Sequence, residues 1–418
     1  MSSPAAEGPG TADHRAAART APYAARLVEA VLDLAPLLHA LPAPPSLPAG
    51  DGLPDAAVLE RVTRRLGVPP IAVGDPAAGG RGPGAEIFAQ VAAARLKRAG
   101  PPPEPGATAA EGALTDGAVD AAAARDIGRA APPRTVKAPD GTPLRIHTAG
   151  PDTPGAPPVV LASAPGMPAR LAAFWLRGLA ARHRVLTVET RGLFGDPGDP
   201  GDPGGFTEPF PGHTGLDAQA DDLITAMDEA GLADAHVMGL CGGAALALAA
   251  AARHPRRVSS LSLWHGDFEL GPDGPKTDHQ RNLQALMGMA RADPASAGLI
   301  HQGLLNAMRG SVPADIAPLA LYPYADTGLF VRYSVLNGAV MDTDLRPLLP
   351  RVTAPALVVT SGDDTTAHPG GSAEVARALR GATTWTRPHG DHISVFRGAP
   401  ELLERAEAFL SGLSGLAP

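Results

Sequence analysis

The segment of this chain whose residues best suit nucleophilic chemistry is centred on a cysteine. Cys241 is the only cysteine and is the central residue of Gly-Leu-Cys-Gly-Gly, residues 239–243. An apolar run precedes this segment, and an alanine- and leucine-rich run, 244–252, follows it. A strand, a tight turn and a helix in that order form a nucleophile elbow, which presents its central side chain on a strained turn. Taken alone, the pattern fits a buried thiol better than a nucleophile.

A cysteine nucleophile needs a base and an acid that orients the base, and two downstream loops offer both. Asp363 and Asp364 follow a predicted strand at 355–360, and Asp364 has the better spacing from that strand. His389 and His392 follow the last predicted strand. We prefer His392, because it follows a Gly-Asp turn and precedes apolar residues, and keep His389 in reserve. The order nucleophile, acid, histidine is one that known triads use.

A nucleophilic triad of this kind also needs an oxyanion hole, which is formed by two backbone N–H donors. Gly242, directly after the cysteine, is the first candidate. The second lies in Ser-Ala-Pro-Gly-Met-Pro, residues 163–168, which follows a predicted strand at 158–162. Pro165 has no N–H group and cannot donate. If Gly166 takes the place of the glycine in the common His-Gly-x-Pro pattern, Met167 is the second donor.

Composition excludes several classes of protein. The length of 418 residues suggests two or three domains, and the hydrophobic content of 44% is that of a globular protein. A single cysteine excludes an internal disulfide framework and a multi-cysteine metal site, and we predict no metal site. A net charge of −8 without a basic tract argues against nucleic acid and membrane partners. We expect a cytoplasmic protein without a signal peptide or membrane span.

The first third of the chain is predicted to be helical and rich in linkers. Residues 1–14 are expected to be a disordered tail, 15–100 a small helical domain, and 101–133 a Pro/Ala/Gly-rich linker. The helices are predicted at 17–41, 55–67 and 85–99, with one more at 117–130. The layout invites comparison with a carrier domain, but no serine opens the third helix to accept phosphopantetheine. We therefore interpret the domain as an accessory that packs or docks a partner.

From residue 134, strands and helices alternate, which predicts a mostly parallel sheet covered on both faces. This α/β core comprises 134–266 and 351–418, and a helical lid, 267–350, interrupts it. Beginning with a hairpin at 134–147 on an Asp-Gly turn, the predicted core strands are 158–162, 183–189, 235–239, 258–264, 355–360 and 382–387. The predicted core helices are 169–181, 216–230, 244–252, 371–379 and 401–410, and the lid helices are 277–292, 294–309, 313–322 and 328–341. A Gly-Asp-Pro repeat within 193–215 is expected to be a flexible loop.

The lid residues can line a dry pocket or simply form the lid's own core. As substrate-binding candidates we name Met287, Tyr322, Tyr324 and Tyr333 from the lid, with Leu240 from the elbow.

These motifs together resemble the α/β-hydrolase family. The resemblance covers residues 134–418 and rests on the elbow at 239–243, the Pro-Gly-Met-Pro loop, the Val-Glu-Thr-Arg-Gly segment at 188–192, and the loops of Asp364 and His392. A narrower resemblance rests on the Cys-Asp-His order, the N-terminal helical extension and the Ala-Pro-Gly-Met loop. In these features the chain is similar to the Dieckmann cyclases that release tetramic acids and pyridones from polyketide–peptide assembly lines.

The narrower resemblance implies a mechanism without a metal or redox cofactor. Cys241, activated by His392 and Asp364, would take an acyl chain from the phosphopantetheine thioester of a separate carrier protein, or from a small mimic. A β-keto-amide carbanion would then attack the new thioester and release a tetramic acid. Two alternatives stay open: a thioesterase, cysteine hydrolase or lactonising release enzyme, and a non-catalytic pseudo-hydrolase that binds a ligand or partner.

Overall fold

The computed structural model describes residues 9–50, 52–74, 83–101, 114–194, 210 and 212–414. The chain divides into two compact units, residues 1–130 with 304–325, and residues 131–303 with 326–418. The first eight residues of the predicted tail, the centre of the predicted linker and the Gly-Asp-Pro repeat lie outside the described residues.

The N-terminal unit is mainly helical, as predicted. It contains helices α1 (Pro9–Ala40), α2 (Ala56–Leu66), α3 (Pro83–Lys97), α4 (Asp116–Ala123) and α5 (Ile127–Ala130), with a short parallel pair β1 (Ser46–Leu47) and β2 (Ala72–Val73). Helix α1 packs against α3 and α4 and buries leucines and valines at helical spacing. It begins at Pro9, within the segment predicted to be a disordered tail. A buried ion pair of 2.5 Å joins Arg95 to Asp33.

The helix predicted at 117–130 is divided in the structure. Helix α4 ends at Ala123, and α5 begins four residues later. Between them, the side chain of Asp126 accepts a hydrogen bond from the backbone N–H of Gly128 (2.8 Å). Aspartate side chains can compete in this way with the hydrogen bonds of a helix. The apolar periodicity of the sequence continues across this break, and for that reason it predicted one helix.

The second unit alternates strands and helices. After residue 131 the chain forms β3 (Pro133–Lys137), β4 (Pro143–Ala149), β5 (Val159–Ala162), α6 (Ala173–Leu179), β6 (Val185–Val188), α7 (Leu216–Glu229), β7 (Ala235–Leu240), α8 (Gly243–Arg253), β8 (Val258–Trp264), α9 (Asp278–Ala292), α10 (Ala297–Met308), α11 (Ala317–Ala320), α12 (Thr327–Asp342), β9 (Ala356–Ser361), α13 (Pro369–Ala378), β10 (Thr383–Arg387), α14 (Ser394–Arg397) and α15 (Pro400–Ser414).

Eight strands form one sheet in the order β10-β9-β8-β7-β5-β6-β4-β3. The six strands from β10 to β6 are parallel, and β4 and β3 continue the sheet antiparallel. The hairpin between β3 and β4 turns at Asp140 and Gly141, as predicted, and Gly141 has the positive φ (85°) that such a turn requires. Because the central strands are parallel, the loops that follow β7, β8 and β9 leave the same edge of the sheet.

Helix α8 is buried on all sides. Its eleven residues include seven alanines, and every residue from Gly243 to Ala252 is buried in the core of the sheet unit. A helix that is apolar all round belongs in a protein core. No described helix, α8 included, has the length and apolar character of a membrane span.

The predicted lid is shared between the two units. Helices α9 and α12 pack against each other in the sheet unit, where Thr277 and Gln280 form a capping box at the start of α9. Residues 304–325 instead belong to the N-terminal unit, and α11 within them packs on α1 and α3. The helix predicted at 313–322 is only the four-residue α11, and a separate 3-10 turn, Tyr322–Tyr324, follows it with Pro323 at its centre.

Candidate active site

Cys241 occupies a strained turn between β7 and α8. Its φ is 54°, a left-handed value that non-glycine residues rarely adopt. Its N–H group donates to the carbonyl of Trp264 (3.0 Å), and its carbonyl accepts from the N–H groups of Ala244 (3.0 Å) and Asp267 (3.2 Å). Three backbone hydrogen bonds therefore hold the cysteine in the strained conformation.

The glycines on either side of Cys241 allow the strand and helix to cross closely. A methyl group on Gly239 would lie 2.5 Å from Cα of Ala244. A methyl group on Gly243 would lie 2.1 Å from the carbonyl oxygen of Ala162. Both distances are far below van der Waals contact, so the close crossing predicted from the glycine spacing is present in the structure.

Asp364 and His392 come together beside the elbow. Nδ1 of His392 lies 2.9 Å from Oδ2 of Asp364, and both residues are buried. The other carboxylate oxygen, Oδ1, accepts hydrogen bonds from the N–H groups of Thr366 (2.8 Å) and Ala367 (2.9 Å). The carboxylate is thus fixed from both sides, and the hydrogen on Nδ1 leaves a lone pair on Nε2 of His392.

Charge interactions link His392 to Cys241. Burial lowers the pKa of His392, but the negative charge of Cys241 and then the contact with Asp364 raise this pKa well above its usual value. Nε2 of His392 is buried and makes no hydrogen bond of full geometry within the described residues. The imidazole of His392 and the side chain of Cys241 therefore interact through charge. The raised pKa makes Nε2 of His392 a stronger base toward the Cys241 thiol.

A second imidazole, which the sequence analysis missed, shares the same carboxylate. Nδ1 of His265 lies 2.9 Å from Oδ2 of Asp364, and Nε2 lies 3.3 Å from Oγ of Ser361. His265 is fully buried and has a positive φ of 48°. Burial lowers its pKa, so its imidazole is neutral. Both imidazoles and the backbone hydrogen bonds hold the pKa of Asp364 well below its usual range, against the opposing effect of burial.

His265, Asp364 and His392 resemble a metal-ligand set by residue type, since their ligand atoms lie within 4.8 Å of one another. Both histidines, however, direct Nδ1 at the same carboxylate oxygen. A nitrogen that donates a hydrogen bond carries a hydrogen and has no lone pair for a metal. The geometry therefore fits a hydrogen-bond network.

A second carboxylate, that of the partly buried Asp267, lies close enough to His392 for their charges to interact. Burial raises the pKa of Asp267, while Nε2 of Gln280 donates a hydrogen bond to it at 2.5 Å. Oε1 of Gln280 in turn accepts from the N–H of His368 (3.0 Å). The sequence analysis named neither Asp267 nor Gln280.

The two reserve candidates lie outside this buried cluster. The side chains of Asp363 and His389 are 46% and 90% exposed, and they face each other at 3.5 Å. Oδ2 of Asp363 accepts a long hydrogen bond of 3.4 Å from the N–H of Gly390. The structure thus brings together the preferred residues, Asp364 and His392, whose catalytic roles stay predictions.

The two predicted oxyanion donors differ in whether their N–H groups already make a hydrogen bond. The N–H of Gly242 makes no hydrogen bond within the described residues and is free to donate. The N–H of Met167 instead donates to the carbonyl of Ala164 (3.2 Å) in a turn. Pro165 of the same loop abuts the elbow, since a methyl group on Gly242 would lie 2.8 Å from its Cδ. Met167 can serve the oxyanion only if this turn opens.

The predicted substrate-binding residues fall into two groups. Met287 on α9 and Tyr333 on α12 are buried and contact the side chain of Asn337. Leu240 is the buried last residue of β7. Tyr322 and Tyr324 are also buried, but they belong to the N-terminal unit. Substrate contact by these side chains stays a prediction.

Comparison with known proteins agrees with this fold. A family model described as alpha/beta hydrolase fold matches residues 157–399, more than half of the chain. The putative carbamate hydrolase RutD of Caulobacter sp. (strain K31) is 29% identical over 247 residues, which are 57% of this chain and 86% of that relative.

Two solved structures are similar to this one. A hydrolase from Pseudomonas aeruginosa PA01 has a TM-score of 0.50 and 22% identity, and the match covers 69% of this chain and 99% of that one. A thermophilic esterase from Thermogutta terrifontis (malate bound) has a TM-score of 0.52 and 19% identity, with 68% and 99% covered. At these identities the likeness shows the fold alone.

The chain belongs to the α/β-hydrolase family, whose members named above are enzymes. This confirms the predicted fold class, an α/β sheet unit with an additional N-terminal helical region.

Proposed function

We propose that this protein is a Dieckmann cyclase, which releases a β-keto-acyl-aminoacyl chain from a carrier-protein thioester as a tetramic acid. The observation that carries the proposal is a cysteine, in place of the usual serine, on the strained elbow beside the His392–Asp364 pair. A thiolate attacks a thioester readily and also departs readily when carbon attacks the acyl-enzyme. The phosphopantetheine group is part of the substrate, carried by a separate protein.

In the first step, Nε2 of His392 takes the proton of the Cys241 thiol, and the thiolate attacks the thioester carbonyl. The N–H of Gly242 stabilises the resulting oxyanion. The carbonyl re-forms, the pantetheine thiolate departs, and it takes the proton from His392. The products are a free thiol and an acyl chain bound to Cys241.

In the second step, His392 removes a proton from the methylene between the two carbonyl groups of the β-keto amide. The carbanion attacks the carbonyl carbon of the acyl-enzyme and forms the ring C–C bond. The C–S bond then breaks, and the Cys241 thiolate regains its proton from His392. Asp364 and His265 hold the base in one tautomer throughout.

A thioesterase is the second candidate, and the similarity to a putative carbamate hydrolase favours release by hydrolysis. The same acyl-enzyme would form, and water activated by His392 would release a linear acid. The two functions differ only in the nucleophile of the second step.

The test uses an N-(3-oxoacyl)glycyl thioester of N-acetylcysteamine, a pantetheine mimic. Intact-protein mass spectrometry follows the acyl-enzyme, and product analysis separates the ring from the linear acid. Ring formation that Cys241→Ala abolishes would support the cyclase. A linear acid without ring would establish the thioesterase, and the absence of acylation on Cys241 would overturn both.

A further inference from the structure

A buried amide side chain lies near Gly242, the proposed oxyanion donor, and has no assigned task. Asn337 on α12 is 6% exposed. A methyl group on Gly242 would lie 3.9 Å from its Oδ1 atom. Within the described residues, Oδ1 accepts no hydrogen bond. An amide oxygen with a missing partner therefore lies next to the residue that follows the nucleophile.

The surroundings of Asn337 determine which way its amide points. Nδ2 lies 3.2 Å from the hydroxyl of Tyr333, 3.6 Å from Sδ of Met287 and 3.4 Å from Sδ of Met341. A thioether sulfur accepts a weak hydrogen bond but cannot donate one. The reversed amide would direct its oxygen at two sulfur atoms and its N–H groups towards Gly242. The two methionines thus favour the orientation in which Oδ1 faces the elbow.

An acceptor in this position discriminates between acyl groups. A bound acyl chain that covers Oδ1 removes it from water, and an acceptor then left without a partner costs about 1–3 kcal/mol, so a chain that brings an N–H group to Oδ1 gains about that amount over a chain that does not. Sites built to bind an N–H group reject analogues that lack it, because the protein group is then left unpaired. Oxygen esters of simple acids have no such N–H group.

We propose that Asn337 determines specificity by accepting a hydrogen bond from the amide N–H of an aminoacyl unit attached to Cys241. This proposal rests on the proposed acyl-enzyme. In an aminoacyl thioester, the amide nitrogen is two bonds from the carbonyl carbon that Cys241 attacks. That carbon must lie beside Gly242, whose N–H is the proposed oxyanion donor, and Oδ1 of Asn337 lies 3.9 Å from the position of a methyl group on Gly242. The hydrogen bond fixes the rotation of the chain about the carbonyl carbon.

The experiment compares two matched thioesters of N-acetylcysteamine, a 3-oxoacyl-glycyl compound and its 3-oxoacyl-glycolyl analogue, in which oxygen replaces the N–H group. The measured quantity is kcat/KM for thiol release, divided by the rate with free cysteine. We expect the native protein to prefer the amide by about tenfold or more. Asn337→Leu should bring the ratio close to one.

Ser334→Ala is the matched control, because Ser334 lies on the same helix, is fully buried and donates its hydrogen bond back to the carbonyl of Phe330 (2.8 Å). It should leave the ratio unchanged. A native ratio near one, or an equal fall with both substrates in Asn337→Leu, would overturn the proposal.

A binding measurement separates this proposal from the proposed function. In Cys241→Ala, which forms no acyl-enzyme, calorimetry should give a lower Kd for the amide than for the ester. Adding Asn337→Leu should remove that difference. If the acyl-enzyme hydrolyses without cyclisation, the proposed cyclase fails while the amide preference stands. Equal Kd values for the two thioesters in Cys241→Ala would overturn the role of Asn337, whatever the product.

Discussion

Asp364→Asn is the sharpest test of the hydrogen-bond network, because the structure fixes how the new amide must lie. Oδ1 accepts from the backbone N–H groups of Thr366 and Ala367, so the oxygen of an asparagine must remain there. Its NH₂ group then replaces Oδ2 and faces Nδ1 of both His265 and His392. Two N–H donors cannot face each other, and each imidazole must move its hydrogen to Nε2.

The expected effects on activity and stability differ in origin. With a hydrogen on Nε2, His392 cannot take the proton of Cys241, and we expect acylation to slow by about 10³- to 10⁴-fold. Two buried hydrogen bonds to a charged acceptor, each worth about 1.5–3 kcal/mol, are also replaced by hydrogen bonds between neutral groups worth about 0.5–1.5 kcal/mol, so the free energy of unfolding should fall by about 2–3 kcal/mol. Thiol release from the glycyl thioester measures the first effect, and urea denaturation the second.

Asp363→Asn is the matched control, one residue away along the chain. Asp363 is half-exposed and makes only long contacts with His389 and Gly390. Its replacement should change the free energy of unfolding by less than about 0.5 kcal/mol and leave acylation within about twofold. If Asp364→Asn keeps acylation within tenfold of the native rate, or if Asp363→Asn is equally damaging, the tautomer argument is refuted.

Three other perturbations test single features of the site. Cys241→Ala removes the charge that raises the pKa of His392, so an NMR titration of the imidazole should show a lower pKa. An unchanged pKa would contradict the charge interaction between Cys241 and His392. Gly243→Ala places a methyl group 2.1 Å from a backbone oxygen and should lower the free energy of unfolding by about 2–3 kcal/mol in urea denaturation. Gly117→Ala, with nothing within 4 Å of the new methyl group, should change it by no more than about 1 kcal/mol. Asp364 has a folded pKa below its usual value of 3.8, so its contribution to stability is complete above that pH and is lost as the pH falls through the folded pKa. The free energy of unfolding should therefore decline more steeply below about pH 4 in the native protein than in Asp364→Asn. An equal dependence on pH in the two proteins would contradict the lowered pKa of Asp364.

Local patterns were sufficient for much of the sheet unit. Apolar runs bounded by turn residues predicted its strands, because each pattern depends on residues near in sequence. The glycines at 239 and 243 predicted the elbow for the same reason. The choice of Asp364 over Asp363 used the spacing from the strand and to the following proline. Asp364 is also the buried residue of the two.

Features that depend on distant pairing were not predictable in this way. His265 reaches Asp364 because β8 and β9 are neighbours, with Trp264 opposite Val359, and nothing local to residue 265 signals that partner. Asn337 is surrounded by side chains from two helices. The apolar periodicity of residues 304–325 indicates helix but not the unit in which that helix is buried.

The position of helix α8 determines the position of the Cys241 thiol. The seven alanines of α8 are buried, and its first residue, Gly243, lies two positions from Cys241 and has no room for a methyl group. His392 lies on a loop after β10, so a displacement of α8 would move the nucleophile without moving its base. Misplacement of a reacting group by about 1 Å can cost about 10²-fold in rate. The buried small residues of α8 therefore limit which substitutions in the core leave the reaction rate unchanged.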